Sequence, residues 1–149
     1  MTGLYSCCHA RHGSIHEGFW RIHTTTATST QSRLDVGRKL ALVCASVAAE
    51  HRGRDVLVLD LRKLTQMVDY FVIATGTSRR QLHTMADEID RNLNLLGERK
   101  MGIEGYSDSR WVLLDYGNVV VHLFDDETRR YYDLENLWGD AERVEWNQA

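Results

Sequence analysis

The spacing of apolar residues predicts a helix where regular patterning begins. From Leu34 onward, apolar side chains recur at i, i+3, i+4, i+7 and i+8, which is one stripe of an amphipathic helix. Gly53 follows a basic pair just beyond this stripe, and a glycine in that place is typical of a helix end. The stripe consists of Leu40, Val43, Cys44, Val47 and Ala48.

Shorter apolar runs further along the chain predict strands. Each run is too short for a stable helix and is rich in β-branched and aromatic residues. The last two runs flank a Gly-Asn pair, which indicates a hairpin turn. The runs lie at residues 56–59, 70–74, 101–106, 111–115 and 119–124.

Two further helices follow from capping signals. Ser78 and Gln81 form a capping-box pair at the start of one, and Gly97 ends it. Acidic residues at 125–127 start the last helix, where the helix dipole favours negative charge. Their apolar stripes are Leu82, Met85, Ala86, Ile89, Leu93 and Leu96, then Leu134, Leu137 and Trp138. This element order predicts an α/β fold: a single domain with a mixed sheet of about five strands flanked by helices.

The first 33 residues carry no such pattern. They are rich in Ser and Thr and have no apolar face, so burial cannot offset the entropy of ordering them. We therefore predict a disordered extension at 1–33 and one domain at 34–149. The extension is a dispensable tail, the product of a start codon assigned too far upstream, or a transit peptide. Its residues do not distinguish between these three possibilities. Adjacent cysteines without a scaffold do not favour a zinc site among Cys7, Cys8, His9, His12 and His16.

Charge and composition narrow the class of protein. The 149 residues hold 18 Lys and Arg against 21 Asp and Glu, a net charge of −3. Residues 1–33 contain three arginines and one glutamate, +2, which leaves 15 basic and 20 acidic groups, −5, for residues 34–149. An acidic domain argues against direct sequence-specific binding of nucleic acid. With three cysteines and no long apolar run, we expect a soluble cytoplasmic protein without a membrane span.

Catalytic and cofactor motifs are incomplete. The strand–turn–helix before Ser78 holds a single glycine, so it matches neither a dinucleotide fingerprint nor a P-loop. Nucleotidyltransferases follow a Gly-Ser turn with an Asp-x-Asp pair on a strand, whereas Asp87, Glu88 and Asp90 lie within the predicted helix. We predict no catalytic site, no cofactor and no metal, with a residual nucleotide-binding enzyme as the alternative. His122, inside an apolar strand, is expected to be a hydrogen-bonded core or edge residue rather than a general base.

The strand at 111–115 suggests a protein interface. Alternation places Trp111, Leu113 and Asp115 on one face and the remaining side chains on the other. If the second face is buried, the first exposes an aromatic and an aliphatic group beside a carboxylate, a combination that suits protein docking. The alternative is that Trp111 and Leu113 pack under a terminal helix, and the pattern does not decide between the two.

Four segments make the chain similar to a known family. They are residues 69–78 (DYFVIATGTS), 104–105 (EG), 111–122 (WVLLDYGNVVVH) and 129–138 (RRYYDLENLW). In this order and spacing, residues 34–138 resemble the ribosomal silencing factor family, also called Iojap-like. One departure is Asn118, where many members have Asp.

The resemblance implies a role without catalysis. Members bind protein fourteen of the large ribosomal subunit, block joining of the small subunit and so repress translation when nutrients are short. Their fold is similar to nucleotidyltransferases without the catalytic carboxylates, and the resemblance allows a homodimer off the ribosome. The other interpretation of the same surface is an adaptor unrelated to ribosomes. We expect the docking residues to be Gly105, Tyr106, Ser107, Asp108, Ser109, Trp111, Leu113, Asp115, Arg130 and Tyr132.

Overall fold

Four helices and six strands make up the part of the chain that the structure describes. The computed structural model describes residues 32–147, and the chain divides into two units, 1–35 and 36–149. The predicted extension and its candidate zinc ligands lie outside the described residues, apart from residues 32 and 33, which are helical. The elements are α1 (32–50), β1 (Arg54–Asp60), β2 (Tyr70–Thr75), α2 (Arg79–Leu95), β3 (Gly102–Glu104), β4 (Trp111–Asp115), β5 (Val119–Phe124), α3 (Asp126–Tyr132), α4 (Leu134–Leu137) and β6 (Glu142–Arg143).

The six strands form one mixed sheet in the order β3-β4-β5-β2-β1-β6. β2 and β5 run parallel, and the other neighbouring pairs are antiparallel. The predicted mixed α/β sheet is therefore confirmed, with one strand more than expected. β6 contributes only two residues, which pair with the end of β1, and so short a strand leaves no alternation to detect in the sequence.

Two predicted stripes are wrong in part. Leu96 lies beyond the end of α2 and is 49% exposed. The last helix is split into α3 and α4 at Asp133, whose φ of 44° is left-handed and ends the first helix. In the short helix α4 that follows, Leu134 is buried but Leu137 is 74% exposed. Of the three residues predicted to form one apolar stripe, Leu137 does not face the core.

The two faces of the sheet are covered unequally. α1 and α2 supply most of the buried side chains on one face, where Cys44 is wholly buried and burial raises its thiol pKa to about 12. The other face carries a smaller cluster beneath α4 and the chain that follows it. No helix within residues 32–147 has the length and apolar character needed to cross a bilayer. The larger core contains Leu40, Cys44, Val47, Val58, Val72, Leu82, Met85, Ile89, Leu93, Val112, Leu114 and Val121.

The predicted capping box at α2 is confirmed. Ser78 Oγ accepts a hydrogen bond from the Gln81 backbone N–H at 3.2 Å. The Gln81 side chain accepts in return from the Thr77 N–H at 2.7 Å, one residue before the usual position. Gly97, with φ +86°, follows the last turn. Ser78 and Gln81 fix the start of α2, and Gly97 follows its end; the turn before β4 packs against this helix.

Candidate docking site

Trp111 is half-buried at the start of β4, on the sheet face opposite α1 and α2. Its ring stacks on Phe124 at 4.9 Å between centroids, and the ring of Tyr132 in α3 lies 4.7 Å away. Its indole N–H donates to Nδ1 of His122 at 3.1 Å. Both interpretations of the sequence pattern hold in part, since Trp111 packs beside a terminal helix and still presents part of its ring to solvent.

Other half-buried apolar side chains extend this surface. Strand pairing places Leu113 beside His122 and places Val120 beside Phe71, on the face that carries Trp111. Trp138 covers one side of Phe71, with rings perpendicular at 5.7 Å. Trp138 therefore covers Phe71 at one end of this surface, and Tyr132 contacts Trp111 at the other. We call the set Phe71, Trp111, Leu113, Val120 and Tyr132 the Trp111 face.

His122 lies directly beneath this surface and is 4% exposed. Because Nδ1 accepts the indole hydrogen, the neutral ring carries its proton on Nε2. Nε2 is buried and has no hydrogen-bond partner among the described residues. Burial lowers the pKa of His122 to about 4, so the ring is neutral near pH 7. The expectation of a hydrogen-bonded core residue is confirmed.

A glycine-dependent turn precedes β4. Gly105 has φ +73°, and a Cβ at this position would lie 1.9 Å from the backbone oxygen of Trp111. Its own carbonyl accepts from the Ser109 N–H at 3.0 Å, which closes the turn. β3 therefore ends at Glu104, two residues before the end of the predicted strand, and the close approach leaves room for no side chain.

Two of the expected docking residues are tied to α2. Tyr106 stacks on His83 with centroids 4.1 Å apart, and its hydroxyl donates to Asp87 at 3.0 Å. Burial and this hydrogen bond raise the pKa of Tyr106. Ser109 is 2% exposed, and its Oγ donates to the Tyr106 carbonyl at 2.9 Å and lies 2.6 Å from Nε2 of His83. Because a carbonyl oxygen only accepts, the contact of that Nε2 with the Tyr106 carbonyl at 2.7 Å places a proton on it.

Four of the expected residues line one groove. The cavity has a volume of about 590 Å³ and lies between the turn at 105–110 and α3. Arg79 lines it as well and donates to the carbonyls of Ser107 and Asp108 at 3.2 Å. The sequence pattern did not predict that Arg79 stabilises this turn. The groove is lined by the expected residues Gly105, Asp108, Trp111 and Tyr132, and by Arg79, Arg110, Glu127, Thr128 and Tyr131.

Asp115 and Arg130 lie apart from the groove. Asp115 is at the far end of β4, where its carboxylate accepts from the Gly117 N–H at 2.7 Å and stabilises the hairpin turn. Arg130 lines a separate cavity of about 580 Å³ and donates to the Asp126 carbonyl at 3.1 Å. In that cavity Arg129 bridges Glu135 and Thr75. The structure therefore brings part of the expected set together and leaves these two at its margins.

The acidic residues of α2 are engaged in local contacts. Asp87 accepts from the hydroxyl of Tyr106, and Asp90 pairs with Lys100 at 2.8 Å and accepts from Tyr116. Within residues 32–147, His, Cys, Asp and Glu side chains form no group of three or more that could hold a metal ion.

A family model, named relatives and solved structures all match this chain. The model of the family described as "Ribosomal silencing factor during starvation" matches residues 35–149. Ribosomal silencing factor RsfS of Bacillus subtilis is 38% identical over 104 residues, 70% of this chain and 88% of that protein. The chloroplastic protein Iojap of Arabidopsis thaliana is 36% identical over 108 residues, which cover 70% of this chain and 44% of that protein. A crystal structure of a Chromobacterium violaceum protein matches with a TM-score of 0.67 at 32% identity, covering 75% of this chain and 92% of the other.

Proposed function

Because this chain belongs to the ribosomal silencing factor family, as its sequence segments predicted, we propose that it silences ribosomes by steric means. It binds the large ribosomal subunit through protein fourteen of that subunit and prevents the small subunit from joining. Translation is thereby repressed when nutrients are limited. The site of action is the cytoplasm, and self-association off the ribosome stays a prediction of the family resemblance.

The observation that supports this proposal is the partly uncovered Trp111 face. Aromatic anchors beside a groove carry much of the binding energy in protein interfaces. Trp111 is the anchor, Leu113 extends the apolar contact, and Tyr132 borders the groove. Asp115 and Arg130, which lie apart from the groove, would contact the partner at the margins of the interface. The turn beside the groove consists of Gly105, Tyr106, Ser107, Asp108 and Ser109, and Gly105 and Asp108 line the groove itself.

Charge supports a protein partner rather than RNA. Residues 34–149 carry 15 basic and 20 acidic groups, a net charge of −5. Complementary charge steers an acidic domain towards a basic ribosomal protein and raises the rate of association. The same charge repels the phosphate backbone of ribosomal RNA. Docking by surface complementarity requires no chemical step.

The size of the domain is sufficient for steric blocking. A compact domain of this length has a radius of gyration of about 13 Å, so it fills a space roughly 30 Å across on whatever surface it binds. A body of that size on the joining surface of the large subunit excludes the small subunit without any change in either. Silencing then depends on affinity and on the order in which the components meet.

An order-of-addition experiment with purified subunits tests the proposal. Sucrose gradients should show the protein co-sedimenting with large subunits but not with small ones, and large subunits incubated with it first should form fewer joined ribosomes. Leu113→Arg places a charge on the Trp111 face and should abolish both effects, because a desolvated unpaired charge opposes docking.

The matched control is Leu95→Arg, which changes a 79% exposed leucine at the end of α2. α2 packs on the opposite face of the sheet, so this variant should behave as wild type. Circular dichroism should show that both variants are folded. A folded Leu113→Arg protein that blocks joining as well as the wild type does would contradict the proposal.

A further inference from the structure

A hydrogen bond between neighbouring strands holds the indole of Trp111. Its N–H donates to Nδ1 of His122 at 3.1 Å, from the start of β4 to the interior of β5. The two residues are diagonal neighbours, since Trp111 pairs with Phe124 and His122 pairs with Leu113. Their ring centroids lie 5.8 Å apart and are tilted by 39°, so the two rings do not stack. Phe124 and Tyr132 contact the flat ring system of Trp111, and His122 holds its N–H.

The polar ring of His122 is packed among aromatic side chains. Phe71 meets the imidazole edge-on at 4.7 Å, and Phe124 lies parallel to it at 6.1 Å. Its Nε2 is buried without a partner among the described residues. A buried donor that lacks an acceptor destabilises the folded state, and an aliphatic side chain of similar volume would avoid that penalty. The favourable polar contact of His122 is therefore the one that it makes through Nδ1.

We propose that His122 is a positioning residue for ribosome docking, which fixes the indole of Trp111 in the orientation that protein fourteen of the large subunit binds. This inference rests on the proposed function. A half-exposed tryptophan that is free to rotate loses rotamer entropy when it is immobilised in an interface, and a preorganised one does not. The fold therefore accepts a buried unpartnered donor in order to hold an interface anchor in place.

Two substitutions separate positioning from packing. In His122→Asn, the side-chain oxygen can occupy the place of Nδ1 and accept from Trp111, whereas His122→Leu fills the space without an acceptor. We expect His122→Leu to weaken binding to large subunits about three- to tenfold, the cost of immobilising one side chain that the wild type already holds in place. His122→Asn should bind within about twofold of wild type by the same argument.

Stability should not follow binding. His122→Leu removes the unpartnered Nε2 donor but leaves the indole N–H of Trp111 without its acceptor, so it should unfold at a urea concentration close to that of the wild type. His122→Asn buries an amide and should unfold earlier. A residue with a merely structural role would lower stability and binding together in both variants.

A spectroscopic signature reports the hydrogen bond itself. The indole N–H cross-peak of Trp111 in a proton–nitrogen NMR spectrum is identified by its loss in Trp111→Phe. It should shift upfield in His122→Leu and remain near its wild-type position in His122→Asn. Binding is measured on the same samples by co-sedimentation with purified large subunits, with Trp111→Ala as the reference for loss of the anchor.

The outcomes are distinct. Weak binding by His122→Leu, with rescue by His122→Asn, would support the inference. If His122→Leu binds as the wild type does while Trp111→Ala does not, the inference is overturned and the proposed function stands. Equal weakening by both His122 variants would also overturn it. Full binding by Trp111→Ala would overturn the proposed function and this inference with it.

Discussion

Gly105→Ala is expected to lower the free energy of unfolding by about 3 kcal/mol, because two separate penalties add at this position. The φ of +73° is unfavourable for an L residue, and the new Cβ would lie 1.9 Å from the backbone oxygen of Trp111. No side-chain rotation relieves a clash between two backbone-linked atoms, so the turn has to move. Urea unfolding followed by circular dichroism measures the change.

Two other glycines are matched controls for the separate penalties. Gly97 has φ +86° but open space around its Cβ position, so Gly97→Ala should cost about 1 kcal/mol from the backbone conformation alone. Gly102 has open space and no positive φ, so Gly102→Ala should leave stability within about 0.5 kcal/mol of wild type. If Gly105→Ala were no more destabilising than Gly97→Ala, the close approach to Trp111 would not exist in solution.

Acidification from pH 7 to pH 4 is expected to lower the free energy of unfolding by about 3 kcal/mol through His122 alone. Burial lowers the pKa of this residue in the folded protein from 6.5 to about 4. Between these two values the unfolded chain binds a proton that the folded protein does not, so stability falls as the pH falls. The loss should begin below about pH 6.5 and level off below about pH 4.

Comparison with His122→Leu isolates this contribution. The free energy of unfolding of both proteins is measured in urea at pH 7 and at pH 4. Protonation of the carboxylates changes it equally in the two proteins, so the difference between their pH dependences is the contribution of His122. The stability of His122→Leu should fall by about 3 kcal/mol less than that of the wild type over this interval. Parallel pH dependences would show that His122 is not buried as a neutral ring.

The helices and the central strands follow from local apolar periodicity. The stripe of α1 and the alternation of β4 each depend on side chains a few residues apart, so the sequence contains enough information to predict them. Two features escaped prediction because they depend on tertiary context. β6 exists only because two residues meet the end of β1, and Asp133 adopts a left-handed φ that the pattern of Leu134 and Leu137 does not reveal.

The candidate site was predictable where it depends on local alternation and not where it depends on tertiary packing. Alternation along β4 placed Trp111 and Leu113 on one face, and the structure agrees. The attachment of Tyr106 to His83 joins residues 23 positions apart in sequence, through a contact that exists only after β4 and α2 have packed together. The hydrogen bond from Trp111 to His122 likewise depends on the register of β4 with β5.

Docking of the Trp111 face on protein fourteen of the large subunit can be measured with the isolated components. Protein fourteen is titrated calorimetrically into the wild type, Trp111→Ala and the control Leu95→Ala, each shown to be folded. Trp111→Ala should bind at least about thirtyfold more weakly, as expected for loss of a central aromatic anchor, while Leu95→Ala should bind as the wild type does. Unchanged affinity of a folded Trp111→Ala protein would show that this face is not the docking surface.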